Sequence, residues 1–100
     1  MESLHNVFKR VFDLDLPISG GDGQSVEDPI IIDADEGPVA LEYQIIELIH
    51  QLGGKKYTFE GQSLISRGDR KIDKLSIVLD EDQEHIRSYY FDITKSFSRF

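Results

Sequence analysis

The stretch from Pro38 to Gly54 constrains the fold more than any other part of the chain. Leu41, Ile45, Leu48, Ile49 and Leu52 recur at i, i+4, i+7, i+8 and i+11, which is one stripe of an α-helix. Pro38 suits a first turn, where its missing N–H costs nothing, and Gly53-Gly54 supplies a stop. Val39, Tyr43 and Ile46 widen the apolar arc. The pattern therefore predicts a central helix over 38–52, with Glu42, Gln44, Glu47 and Gln51 toward water. His50, near the helix C-terminus, reads as a capping or solvated side chain whose protonation the helix dipole favours.

Strand patterns follow this helix. Lys55 to Ser66 alternates at Tyr57 and Phe59 and then changes phase toward Leu64 and Ile65, so Gly61 marks a bulge. Ile72 to Leu79 places Leu75, Ile77 and Leu79 on one face, against Lys74, Ser76 and Val78. His85 to Ile93 sets Arg87, Tyr89, Phe91 and Ile93 against Ile86, Ser88 and Tyr90. Arg67 to Arg70 and Asp80 to Glu84 read as the two connecting turns of an antiparallel meander.

Before the helix, Leu4, Val7, Phe8, Val11 and Phe12 form a second helical stripe, with Ser3 as N-cap and Asp13–Pro17 as terminator. Two phenylalanines on so short a helix need cover. Docking on the domain's own core is expected, and a homodimer or partner contact is the alternative. Residues 17–28, with three glycines, read as a flexible loop. Pro29 to Asp33 holds three isoleucines and reads as a strand covered on both faces.

These elements fit a single domain spanning 1–100: an amphipathic helix over 1–13, the loop, and an α+β core from 29 onward. The expected fold is a small two-layer α+β domain in the order α-β-α-β-β-β. Its sheet is mainly antiparallel, with one central helix packed on one face.

The charge is uneven. Residues 1–54 carry two basic side chains against eleven acidic ones, while residues 55–100 carry nine against eight, for a total of −8. Such a balance opposes nucleic acid and anionic membranes and suits a basic protein partner. The candidate partner surface comprises Asp33, Asp35, Glu36, Glu42, Glu47, Asp80, Glu81, Asp82 and Glu84. Asp35 and Glu36 also complement the dipole at the N-terminus of the central helix.

Motifs that would carry chemistry fail on inspection. The chain has no cysteine, hence no thiol nucleophile, disulfide or thiolate metal site. The glycine loop lacks the Gly-Lys-Ser/Thr ending of a phosphate-binding loop and carries Asp22, Glu27 and Asp28. Asp33 to Gly37 begins like a calcium loop but places Gly37 at a ligand position and Gln44 at the twelfth. His5, His50 and His85 are far apart in sequence, and Gly-x-Ser-x-Gly is absent. Arg67-Gly68-Asp69 matches an adhesion tripeptide but is ordinary turn chemistry. A basic band of Lys55, Lys56, Arg67, Arg70, Lys71, Lys74 and Arg87 beside Tyr89 or Tyr90 resembles an RNA-binding sheet, without that module's glycine-aromatic signature.

The expectation is a non-catalytic interaction module, monomeric or homodimeric, without cofactor or metal. A protein that neutralises a basic toxin is one specific form of it. The alternative is a small-ligand or catalytic pocket between the sheet and the central helix. Glu2 stands where a signal peptide is basic, and no apolar run approaches the roughly 20 residues of a membrane span, so a cytoplasmic location is expected.

Overall fold

The computed structural model describes residues 3–34 and 38–97. The elements run α1 (Leu4–Phe12), β1 (Ile18–Gly20), β2 (Ile30–Ile32), α2 (Pro38–Gly53), β3 (Tyr57–Arg67), β4 (Arg70–Leu79), β5 (Asp82–Asp92) and α3 (Thr94–Phe97). One mixed sheet has the order β1-β2-β5-β4-β3. Only β2 and β5 pair in parallel; the other neighbours are antiparallel. The fold is thus α+β, and the expected order gains a strand, β1, and a terminal helix, α3.

Both additions are too short to leave a periodic signal. β1 lies inside the segment expected to be a flexible loop, where Ile18 pairs opposite Ile32. The rest of that loop is tied by backbone bonds: Gly21 N–H to Pro29 C=O, Gly23 N–H to Asp28 C=O and Tyr90 N–H to Gly23 C=O. Gly23 is buried at φ +76°, where a Cβ would also stand 2.9 Å from Ile30 Cδ1. No other residue fits that corner without strain. At the other end Asp92 fastens α3. Its Oδ1 accepts the Thr94 amide at 3.0 Å and the Thr94 hydroxyl at 2.6 Å, and its Oδ2 accepts Arg70 Nε at 2.8 Å. Burial alone would raise the Asp92 pKa, but the Thr94 bonds and Arg70 together bring it below the usual carboxylate value. Ser96 then donates to Ala34 C=O at 2.5 Å, which ties α3 to the end of β2.

The strand phases match the sequence. Leu75, Ile77 and Leu79 are buried, whereas Lys74, Ser76 and Val78 are half-buried on the opposite face. The β3–β4 register shifts between Phe59 and Gly61, leaving Glu60 as the extra residue of the expected bulge. The connections are tighter than expected, since β4 begins three residues after β3 ends and β5 three after β4.

The core lies on the face shared by Leu75, Ile77, Tyr89, Phe91, Ile30 and Ile32. Ile45, Ile46 and Leu48 of α2 and Phe8 of α1 join the same cluster. Ser3 Oγ accepts Asn6 N–H at 3.2 Å, and Asp13 closes α1 in the left-handed region with its N–H on Lys9 C=O. Phe8 is fully buried, and Leu4 and Phe12 pack against the cluster, so the first stripe docks on its own domain.

The phase of α2 needs correction. Its buried residues are Glu42, Ile45, Ile46, Leu48 and His50; Leu41 and Ile49 are half-buried, and Val39, Tyr43 and Leu52 are exposed. The buried arc is rotated toward Glu42 and His50 relative to the apolar stripe. Ile46→Ala should therefore cost about 2–5 kcal/mol. Leu52→Ala, on the stripe but 44% exposed, should cost less than about 1 kcal/mol. Equal losses in urea denaturation would restore the phase read from the sequence.

Candidate functional site

The C-terminal half of α2 lies over the start of β3, and between them is an open pocket of about 620 Å³. Glu47, His50 and Gln51 line it from the helix, and Tyr57, Thr58 and Phe59 from the strand; Lys55, Lys56 and Asp80 also contribute. The alternation of β3 brings Tyr57 and Phe59 to the core face, since they pair with Leu79 and Ile77. Their rings meet edge-on at 5.4 Å, and Tyr43 of α2 meets Phe59 edge-on at 4.6 Å.

His50 is the buried back of this pocket rather than a solvated cap. Its Nε2 is 3.1 Å from the Tyr89 hydroxyl, and its ring lies 4.4 Å from that of Tyr57. Desolvation lowers its pKa, against a backbone hydrogen bond at Lys55 that favours the charged form, so His50 is neutral at pH 7. Tyr57 donates to Glu47 Oε2 at 2.7 Å. Burial, and then the Glu47 carboxylate, raise the phenol well above its usual pKa.

The acidic residues of the expected surface are dispersed. Glu47, Asp80 and Glu81 come together at the pocket. Asp80 accepts the Thr58 hydroxyl at 3.2 Å, and Glu81 pairs with Lys55, itself a lining residue. Asp82 binds His85 Nδ1 at 2.8 Å, and the exposed Glu84 is on the same strand. Asp33 follows β2, which β5 and β4 separate from β3, so it does not join them. Asp35 and Glu36 lie outside the described residues.

Glu42 is a correction. It is fully buried, so it cannot belong to a partner surface, and neither of its carboxyl oxygens has a hydrogen-bond partner. Asp73, 3% exposed, is close enough to act on it electrostatically, although the two do not reach hydrogen-bonding geometry. Asp73 is itself satisfied by Gln62 Nε2 at 2.7 Å. Burial first, and then Asp73, push the Glu42 pKa up to about 9. It is therefore a neutral acid at pH 7. Helical periodicity could not reveal it, because glutamate beside an apolar stripe usually faces water.

No family model, characterised protein or solved structure matches the chain. No described helix is long and apolar enough to cross a membrane.

The buried acid sets a pH dependence with a definite sign. Between the ordinary glutamate value near 4.5 and about 9, the unfolded chain ionises at Glu42 while the folded chain keeps the proton. This contribution to stability is complete below the lower value and is lost as pH rises toward the upper one. Glu42→Gln, neutral at every pH and able to donate to Asp73, should be more stable than wild type at pH 8. The advantage should shrink toward pH 5 in parallel urea titrations. A constant difference across that range would show that Glu42 is not protonated in the fold.

Proposed function

We propose that the protein is a non-catalytic binding module whose α2–β3 pocket receives a basic side chain of a protein partner. The observation that carries this reading is the combination of an aromatic wall, Tyr57 and Phe59, with the Glu47 and Asp80 carboxylates in one open pocket. A guanidinium or ammonium group gains from both: the ring face attracts the cation, and the carboxylates accept its hydrogen bonds. Lys55 is offset by Glu81 and His50 is neutral, which leaves Lys56 against two acids. The acidic N-terminal half adds attraction at longer range.

The state of the titratable groups favours binding over catalysis. The Tyr57 phenol is raised away from its reactive anion and held by Glu47, while His50 is engaged by Tyr89 at the back. The Thr58 hydroxyl is likewise engaged, donating to Asp80. Neutralisation of a basic toxin is the specific form of this proposal that suits the charge. A second reading, a small-molecule site, rests on the pocket's volume, which lies within the range of ligand cavities.

Titration of labelled protein with N-acetyl-arginine amide, N-acetyl-lysine amide and N-acetyl-glutamate amide tests the proposal by amide chemical shifts. The two cationic probes should move Glu47, Tyr57, Phe59 and Asp80. Phe59→Ala and Asp80→Asn should each weaken them roughly two- to fivefold, the equivalent of about 0.5–1 kcal/mol at an exposed site. Equal response to the acidic probe, or shifts centred elsewhere, would refute it.

A further inference from the structure

The sheet has one long free edge. Among the described residues β4 is the only neighbour of β3, an eleven-residue strand with most side chains exposed; the opposite edge strand, β1, has three residues. Natural edges of this length are usually blunted by proline, by clustered lysine, by bulges or by a covering loop, and of these β3 carries the single bulge at Glu60. β3 contains no proline and only two charged residues, Glu60 and Arg67. Four of the exposed large apolar side chains also gather on this flank. Phe59 and Leu64 lie on the helix-facing side of β3, and Val39 and Tyr43 on α2.

We propose that this edge pairs antiparallel with β3 of a second copy, about a two-fold axis through Ser63, to give a continuous ten-stranded sheet. The charges along the strand decide for a second copy over an unrelated strand. With the flanking residues Lys56 and Asp69 included, the order from one end to the other is Lys56, Glu60, Arg67, Asp69, so reversing the strand sets unlike charges opposite one another.

The bulge makes the register consistent. With Glu60 looped out as it is against β4, Gln62 faces Leu64 of the second copy and Phe59 faces its Ser66. In each of these pairs both residues lie on the same face of the sheet, as an antiparallel ladder requires. Lys56 then stands opposite the second copy's Asp69, and Glu60 beside its Arg67, each contact occurring twice. Arg67 already has Glu27 at 3.6 Å within its own chain, a loose pair that leaves the guanidinium half exposed. An axis perpendicular to the sheet keeps both α2 helices on one face. The exposed flanks at Val39 and Tyr43 then look toward each other above the joined strands. Closed two-fold pairing is also the commonest way for one surface to satisfy itself.

Sedimentation equilibrium and size-exclusion chromatography with light scattering test the assembly directly. Wild type should run at twice the chain mass at micromolar concentration. Leu64→Lys should dissociate it at least tenfold more readily, with an unchanged far-ultraviolet spectrum because that side chain is 48% exposed. Ile86→Lys, on the other face and 59% exposed, should leave the dimer intact. Glu60→Arg and Arg67→Glu should each weaken association, and the double exchange should restore it. A wild type that stays monomeric overturns the proposal. So does a dimer indifferent to Leu64→Lys, or one abolished by Val11→Lys on α1. The pocket titration reads different residues, so either result can fail while the other stands.

Discussion

The sheet is wider than the helices available to cover it, and most of the molecule's particular features follow from that mismatch. Five strands span about 20–25 Å across, whereas one helix covers roughly 10 Å. α1 shelters part of the face through Phe8, and α2 shelters the middle through Ile45, Ile46 and Leu48. The margin left over is β3. Tyr43, Phe59 and Leu64 stay exposed there because no further element among the described residues covers them, and the pocket opens there between α2 and the strand. A third full helix on that face would have sealed the core and removed both the cavity and the free edge.

The same geometry accounts for the buried glutamate. A helix covering the centre of a sheet presents a broad arc inward, wider than the apolar stripe of this sequence. The arc extends past the stripe on one side, where Glu42 and His50 fall with Ile46, both polar groups in their neutral forms. A neutral carboxyl or imidazole is far cheaper to desolvate than its ion, which is why both pKa values move in the direction that removes charge. The two groups make opposite demands on the solution. Glu42 loses stability as pH rises above about 4.5, and His50 as pH falls below its ordinary value near 6.5, so the two oppose one another just below pH 6.5.

How much could be read beforehand depended on whether a residue's place was set by local pattern or by its neighbours in space. α1 was legible to its caps, because Ser3 and Asp13 act within one turn of the helix. The phases of β4 and β5 were legible because strict alternation admits only one buried face. The Gly61 bulge showed as a change of phase. The rotation of α2 was hidden, since Leu52 and Val39 look like core residues in the sequence but are exposed in the fold. β1 owes its existence to Ile32, and α3 is held through Ala34, partners distant in sequence. Of the candidate surface, Glu47, Asp80 and Glu81 came together only through the fold, and no spacing in the chain linked residue 47 to 80. The aromatic part of the pocket was foreshadowed by Tyr57 and Phe59, although their alternation spoke only of a strand.

The net charge of −8 bears on how a second copy or a partner can approach. Two such molecules repel at long range, and a basic partner is attracted, but at physiological ionic strength charges more than about 8 Å apart are largely screened. What decides a contact is therefore the local sequence of signs. Along β3 and its two flanks the signs alternate, Lys56, Glu60, Arg67 and Asp69, whereas the pocket has Glu47 and Asp80 against Lys56, with Lys55 already offset by Glu81. On the two proposals above, the edge meets its own reverse and the pocket meets a cation. Lys56 belongs to both. Pairing of the edges would place an aspartate of the second copy against Lys56, neutralise the uncompensated lysine at the pocket rim, and strengthen the pull of Glu47 and Asp80 on an incoming basic side chain. On this reasoning assembly and recognition reinforce one another through a single residue, because cancelling one positive charge at the rim leaves the field of two acids unopposed.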